Sequence, residues 1–393
     1  MNILLVHNSL NDSSSVSGVL KHYALVAKEW IRQGHRTDFL VATAGFPQVG
    51  DLCPEAGRVS SDRWFNASSY LDQTWRYFPA YGWRLLRSHC QRFDRRYDIV
   101  YASNFLIVEV YPAWVIARRH RARLVVKLQH VLHAQPKRKG WFDRLFLWTE
   151  KVAARIANRH AGLIMCLSDG VGEDYRSLEE DLSLDPSRVI TVGCGLDFAE
   201  IDATPARERV HDVVFLGRMH EQKGVFELPR VWKRVLESCP DANLLVIGEG
   251  PHRPETQRRF EALGIAGRAR FVGGVPEKEK NRLLAASRIG LSLSYEEGWG
   301  LSVTEYLAAG MPVVAYELPV FQSEFEGHLE LWDRGDWEAV SRALIRWIQD
   351  PEACRHQGGR GRAFVRRFDY RRVAEEELAL MSNLAVAKDQ PLE

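Results

Sequence analysis

The chain has 393 residues, 46% of them hydrophobic, and 53 Lys and Arg against 51 Asp and Glu give a net charge of +2. That length predicts two or three domains with ample core, and the balance of charge gives no global polyanion signal, so no nucleic-acid partner is expected. Six cysteines, Cys53, Cys90, Cys166, Cys194, Cys239 and Cys354, are scattered without a C-x-x-C pair, which predicts reduced core thiols and no structural zinc. No apolar run approaches the ~18 residues needed to span a bilayer, so the expected location is the cytoplasm.

In chain order, Met1 to His7 lacks a basic leader and a signal-like cleavage site, and Ile3 to His7 reads as a first buried strand. Asn8 to Gly18 is a long polar loop with one glycine, where a dinucleotide site would need G-x-G-x-x-G; this argues against an oxidoreductase. Val19 to Arg32 follows as a helix closed by Gly34, and Thr37 to Val41 as a strand. Residues 45 to 95 carry Trp64, Trp75, Tyr77, Phe78, Tyr81 and Trp83 among several arginines; they either stack on an acceptor or pack under loops. Asp98 to Ser103, Leu124 to His130 and Ala161 to Leu167 are further strands. Between Ile116 and His160 stand twelve Lys and Arg against two acids, Asp143 and Glu150. There Pro136 to Gly140 precedes a helix whose Trp141, Leu145, Trp148, Val152 and Ile156 form one apolar stripe, flanked by Phe142 and Phe146, a pattern that fits contact with an anionic membrane.

The second half opens near Val189 to Asp197, and a polar loop, Asp202 to Asp212, leads into its first strand. Alternation of strands and helices predicts α/β architecture with parallel sheets. From Ile289 to Tyr295 an apolar strand runs into a turn broken by Gly298 and Gly300, and Leu301 to Ala309 has helical spacing with Gly310 just beyond it. A turn of this kind presents backbone N–H groups and a helix dipole to a phosphate. Glu297 and Glu305, eight positions apart around the turn, would repel that phosphate. Their presence is consistent with carboxylates that accept hydrogen bonds from hydroxyls on either side of it, as a sugar and a ribose provide.

Here the chain resembles the retaining glycosyltransferases of GT-B fold in family 4, whose signature pairs two glutamates across seven residues. Trp299 stands for the usual Phe and Tyr306 for the usual Ala. Val213 to Gly224 resembles the family's strand and G-R-x-x-x-x-K-G, Leu244 to Pro251 its next strand and turn, and Phe271 to Pro276 its base-lining loop. The resemblance implies two Rossmann-like βαβ domains facing a central cleft: 1–190 on the acceptor side, 191–368 for the nucleotide sugar, and 369–393 a helix crossing back to the first.

It also implies a site. Gly217, Arg218 and Lys223 would grip a diphosphate, with backbone groups at Gly300 and Leu301 beside them. Glu297 would hold the transferred sugar, Glu305 the ribose and Val275 the base. In the first domain His130 would reach the sugar, and Gly18 would stand beside the phosphates; His133 is close enough to be confused with His130. The implied donor is a UDP- or GDP-linked sugar, used without other cofactor or metal, since no D-x-D pair of the kind that holds one is present. The acceptor would be a sugar, a lipid-linked glycan or a small molecule, and the enzyme would lie in the cytoplasm, peripherally at the inner face of the membrane. A nucleotide-sugar epimerase or a non-catalytic nucleotide-sugar-binding subunit is the alternative. Glu317 to Glu324 departs from the family's usual G-G turn and Glu.

Overall fold

Runs rich in Val, Ile and Leu make strands buried on both faces, and helices with one apolar side cover them. The computed structural model describes residues 1–8, 18–62, 74–131, 141–178, 188–205 and 208–386. It divides into two compact units, Met1–Gly195 with Tyr370–Glu393, and Leu196–Asp369.

The first unit contains, in order, β1 (Asn2–His7), α1 (Gly18–Arg32), β2 (Arg36–Val41), α2 (Phe46–Leu52), β3 (Gly57–Ser60), α3 (Thr74–Arg87), β4 (Ile99–Ala102), α4 (Ile107–His120), β5 (Arg123–Leu128), α5 (Trp141–His160), β6 (Leu163–Cys166), α6 (Asp169–Arg176) and β7 (Val189–Thr191). Its seven strands pair in the order β3-β2-β1-β4-β5-β6-β7, all parallel. Val189–Thr191, read from sequence as opening the second half, pairs with β6 and closes this first sheet.

Alternate residues of the central strands feed two cores. Leu4, Val6, Val100 and Val126 face α4 and α5, while Ile3, Leu5, Ile99, Tyr101 and Val125 face α1 and the C-terminal helix, Tyr370–Val386. That helix is fastened to α1 by the Trp30 indole N–H, which donates to the Ala374 carbonyl at 3.0 Å. On the same side Lys127 of β5 pairs with Glu377, and neither side chain has any exposed surface. The Lys127 ammonium also donates to the Gly193 carbonyl at 3.2 Å, and the Tyr101 hydroxyl donates to Glu377 at 3.2 Å, so the buried charges are paired and hydrogen-bonded.

On α5 the fully buried positions include Glu150, Ala153, Ala154 and Ala157; of the apolar stripe, Ile156 packs partly buried against the first core and Trp148 is 61% exposed. Within residues 45 to 95, Arg84 is buried in an ion pair with Asp62 at 2.5 Å, whereas Trp83 is 41% exposed. His133, Pro136 to Gly140, Trp64 and the side chains of Trp75, Tyr77, Phe78, Trp141 and Phe142 lie outside the described residues.

The second unit contains α7 (Phe198–Asp202), β8 (His211–Leu216), α8 (Leu228–Ser238), β9 (Leu244–Ile247), α9 (Arg253–Ala262), β10 (Ala269–Gly273), α10 (Glu277–Ala285), β11 (Ser287–Ser292), α11 (Leu301–Ala308), β12 (Val313–Tyr316), α12 (Pro319–Glu324), β13 (Glu330–Trp332), α13 (Trp337–Gln349) and α14 (Pro351–Val365). Six parallel strands pair as β10-β9-β8-β11-β12-β13. In both sheets the chain builds outward to one side of the first strand and then returns to its other side. The seams β1/β4 and β8/β11 are therefore topological switch points, where the loops after the strands part and leave room for a ligand.

Candidate functional site

At the β8/β11 seam the two strands are tied together at their carboxyl ends by one side chain. The Tyr306 hydroxyl, buried in α11, accepts from the Leu216 N–H and donates to the Leu291 carbonyl at 3.2 Å. Gly290 makes room for it, since a Cβ there would stand 2.5 Å from the Tyr306 ring. Beyond this tie the loops separate: Gly217 to Glu227 leaves β8, and Leu293 to Gly300 leaves β11.

Gly217, half-buried, continues the β8 edge and donates its N–H to the Ile247 carbonyl at 3.0 Å. Arg218 follows, exposed, with its guanidinium 3.4 Å from the Gln222 side-chain oxygen. A 3₁₀ turn, Glu221–Lys223, carries the lysine and ends at Gly224 with φ of 69°. Only glycine fits there, because a Cβ would meet the Leu293 carbonyl at 2.3 Å. This close approach delivers Lys223 to Glu297, with which it forms an ion pair. Glu297 also accepts from the Ser294 hydroxyl at 2.8 Å. The two charged side chains keep 23% and 12% of their surface exposed, so a ligand can reach them.

Gly300, with φ of 94°, starts α11 without a side-chain cap, leaving the helix start at Leu301 to backbone donors. Trp299 is structural: buried, it donates to the Thr304 hydroxyl at 3.0 Å and packs edge-on against Phe368 at 4.8 Å. Glu305 lies one helical turn farther along α11 and pairs with Lys280 of α10, which also pairs with Glu277. Burial alone would lower the pKa of the Lys280 ammonium, but the Glu305 and Glu277 carboxylates outweigh it and hold that pKa above its usual value. Past Ala308 the helix closes at Gly310, whose φ is 73°. Its N–H donates to the Leu307 carbonyl at 2.9 Å, and that of Met311 to Tyr306 at 3.1 Å, a Schellman closure.

The second unit thus brings together Gly217, Arg218, Lys223, Glu297, Gly300, Leu301 and Glu305 at one seam of one sheet edge. Val275 is half-buried in the short link between β10 and α10. Gly18 heads α1, and His130 is exposed just past β5; both belong to the first unit. Reading the sequence did not single out Lys280, whose surroundings Glu277-Lys278-Glu279-Lys280 look like a solvated helix face. The only signal was the i,i+3 spacing to Glu277. The anticipated strand Ile289 to Tyr295 stops at Ser292, and Tyr295 instead donates its N–H to the Gln222 carbonyl at 2.8 Å, binding one loop to the other.

Comparison with known proteins places both units. Residues 198–364 match the glycosyl transferases group 1 family, and residues 17–195 match the glycosyl transferase 4-like domain. The phosphatidyl-myo-inositol mannosyltransferase of Mycobacterium leprae is 30% identical over 181 residues, 44% of this chain and 47% of that one. The D-inositol 3-phosphate glycosyltransferase of Corynebacterium efficiens is 28% identical over 324 residues, 75% of this chain and 74% of its own. The chain spans about half the length of the phosphatidyl-myo-inositol mannosyltransferases it matches. Among solved structures, Anabaena HepE in complex with UDP and glucose has a TM-score of 0.73 at 17% identity, covering 98% of this chain and 100% of that chain. Sucrose-phosphate synthase from Thermosynechococcus elongatus has a TM-score of 0.77 at 16% identity, covering 98% and 99%. At such identities the likeness to solved structures is one of fold.

Proposed function

The chain belongs to the GT-B glycosyltransferases of family 4, and we propose that it moves a hexose from a nucleoside-diphosphate sugar to a hydroxyl acceptor, retaining anomeric configuration and using no metal ion. This reading rests above all on the Lys223–Glu297 pair at the β8/β11 seam. Breaking the anomeric C–O bond leaves positive charge on the sugar ring and negative charge on the departing diphosphate. Arg218 supplies a planar fork of donors and Lys223 a point charge for phosphate oxygens, and the uncapped start of α11 adds backbone donors. Released from Lys223 as the lysine turns to phosphate, Glu297 accepts hydrogen bonds from the sugar hydroxyls, and Glu305 does so from the ribose. By family resemblance, His130 is assigned to the transferred sugar, Gly18 to the phosphates and Val275 to the base. The departing phosphate takes the acceptor proton on the face from which it leaves, which gives retention.

Inositol-bearing acceptors in the names of two relatives and UDP in the complex of a structural neighbour support a polyol acceptor, free or lipid-linked, and a UDP- or GDP-linked donor. Incubation with UDP-, GDP- and ADP-sugars in the presence of EDTA tests the reading. Free nucleoside diphosphate that rises with added acceptor supports transfer. An epimerised sugar nucleotide would favour an epimerase, binding without turnover a non-catalytic subunit, and a demand for added magnesium would overturn the metal-free account.

A peripheral contact of the first unit with anionic lipid is the further proposal. Trp83 and Leu86 on α3 and Trp148 on α5 are 41%, 69% and 61% exposed, and α4 packs against both helices. On α4 and α5, Arg118, Arg144, Arg155 and Arg159 are exposed; near anionic lipid each cation contributes ~1 kcal/mol, screened by salt. Flotation with phosphatidylglycerol vesicles at low and high salt tests it, and absence from the floated fraction at low salt would remove it.

A further inference from the structure

The loop that carries Lys223 ends in a carboxylate with an unusual commitment. Glu227 stands at the N-cap of α8, and its side chain makes no capping bond. Instead it receives two phenols. The Tyr295 hydroxyl donates to one carboxylate oxygen and the Tyr316 hydroxyl to the other. Tyr316 is the last residue of β12 and fully buried; Tyr295 lies three positions past the end of β11. Their rings meet edge to face at 5.7 Å. One side chain from the loop after β8 is thereby pinned to the ends of two neighbouring strands.

The same loop is fixed on its other flank. The Tyr295 N–H donates to the Gln222 carbonyl at 2.8 Å, and the Glu227 N–H to the Gly224 carbonyl at 3.0 Å. Lys223 lies between these fastenings, and Tyr295 is two positions before Glu297. Loosening Glu227 would free the turn that carries the lysine and, through Tyr295, the strand end that carries its partner.

We propose that Glu227 is a positioning residue of the donor site, holding Lys223 opposite Glu297 through Tyr295 and Tyr316. The inference rests on the role given above to Lys223, and it accounts for a half-buried carboxylate whose two oxygens are taken up by two phenols.

The test is a mutant cycle on the full chain. Glu227→Ala is expected to lower kcat/KM for sugar transfer by about tenfold to a hundredfold, the scale of a small misplacement of a reacting group. Glu227→Gln, which keeps one acceptor oxygen, recovers part of the loss. Combined with Lys223→Ala, the Glu227→Ala change should cost little more than Lys223→Ala alone, because both act through one interaction; full additivity would overturn the proposal. Hydrogen exchange supplies a readout that needs no turnover: amides of residues 217–227 and 293–297 should exchange faster in Glu227→Ala, with the rest of the second unit unchanged. Unaltered exchange there refutes the tether even if every donor is refused, whereas faster exchange in a chain that binds no nucleoside diphosphate upholds the tether and defeats the functional reading alone. If Glu227→Ala fails to fold, Tyr295→Phe with Tyr316→Phe removes both donors, keeps the rings and answers the same two questions.

Discussion

Lys127 and Glu377 stand 250 positions apart in the chain and form an ion pair from which solvent is excluded. Taking two charges out of water costs more than the pair returns unless every partner stays in place. Glu377→Gln or Lys127→Met should therefore destabilise the first unit by about 3–5 kcal/mol, because each strands the opposite charge in the core. Exchanging both for apolar residues, Lys127→Met with Glu377→Leu, should recover most of that loss. Urea denaturation followed by tryptophan fluorescence would measure it; single variants as stable as the parent would show that the pair opens to water.

Arg218→Ala and Lys223→Ala should lose turnover and keep the fold. Removing one preorganised donor from a site where negative charge develops costs ~2.7–4 kcal/mol, about 10² to 10³ in rate. Exposed Arg218 and partly exposed Lys223 carry little of the core, so melting temperatures should stay close to the parent's. Parental turnover in either purified variant would contradict the assignment.

The two glutamates should separate by ligand. Glu305→Gln is expected to weaken binding of the free nucleoside diphosphate, while Glu297→Gln spares it and lowers sugar transfer. Glu305 also pairs with Lys280, of which only 12% of the side chain is exposed, so its variant should lose some thermal stability as well. Calorimetry with UDP, GDP and ADP decides the matter, and equal loss of nucleotide affinity in both variants would count against the division of roles.

Stability should fall in mild acid through His7. Burial pushes its imidazole down to about 4, and its ring nitrogen lies 2.7 Å from the Ser103 hydroxyl. In the unfolded chain the same group titrates at about 6.5. Between those values the unfolded state takes up a proton that the folded state refuses, so the contribution of a neutral His7 is fully present above about pH 6.5. It is lost as pH falls toward 4, by up to about 3 kcal/mol. His22, lowered by burial and by the Lys127 charge, acts in the same direction. Denaturation of the parent and of His7→Gln at pH 7 and pH 4.5 isolates the His7 share; parallel losses in the two would disprove it.

The parts of this architecture that sequence exposed are those set by local patterns. Apolar runs at Ile3 to His7 and Val213 to Leu216 had to be buried strands, and Gly310 had to follow a helix because its left-handed backbone closes one. Glu297 and Glu305 were visible because the glycine turn between them constrains where both can go. Their lysine partners were less legible. Lys223 comes from another loop, and Lys280 sits in a charge run that any solvated helix could carry. Lys127 was harder still, since one lysine inside Leu-Val-Val-Lys-Leu gives no sign of whether its ammonium reaches water or a carboxylate far along the chain. The short, half-buried strand β3 had too little alternation to be recognised. On α5 the larger residues are the visible signal in the sequence, while the fully buried positions include the small Ala153, Ala154 and Ala157.

Because the helix Tyr370–Val386 belongs to the first unit, the order of synthesis and the order of completion differ. While the chain is being made, β1, α1 and β5 emerge early, yet Trp30 must wait for the Ala374 carbonyl, and Lys127 stays without its counter-charge until Glu377 appears. The second unit, contiguous from Leu196 to Asp369, has all its strands before then. Folding on the ribosome should consequently finish with the half that began it, and a stalled chain released before residue 377 would expose an incomplete N-terminal core to chaperones and proteases rather than leave a finished domain behind.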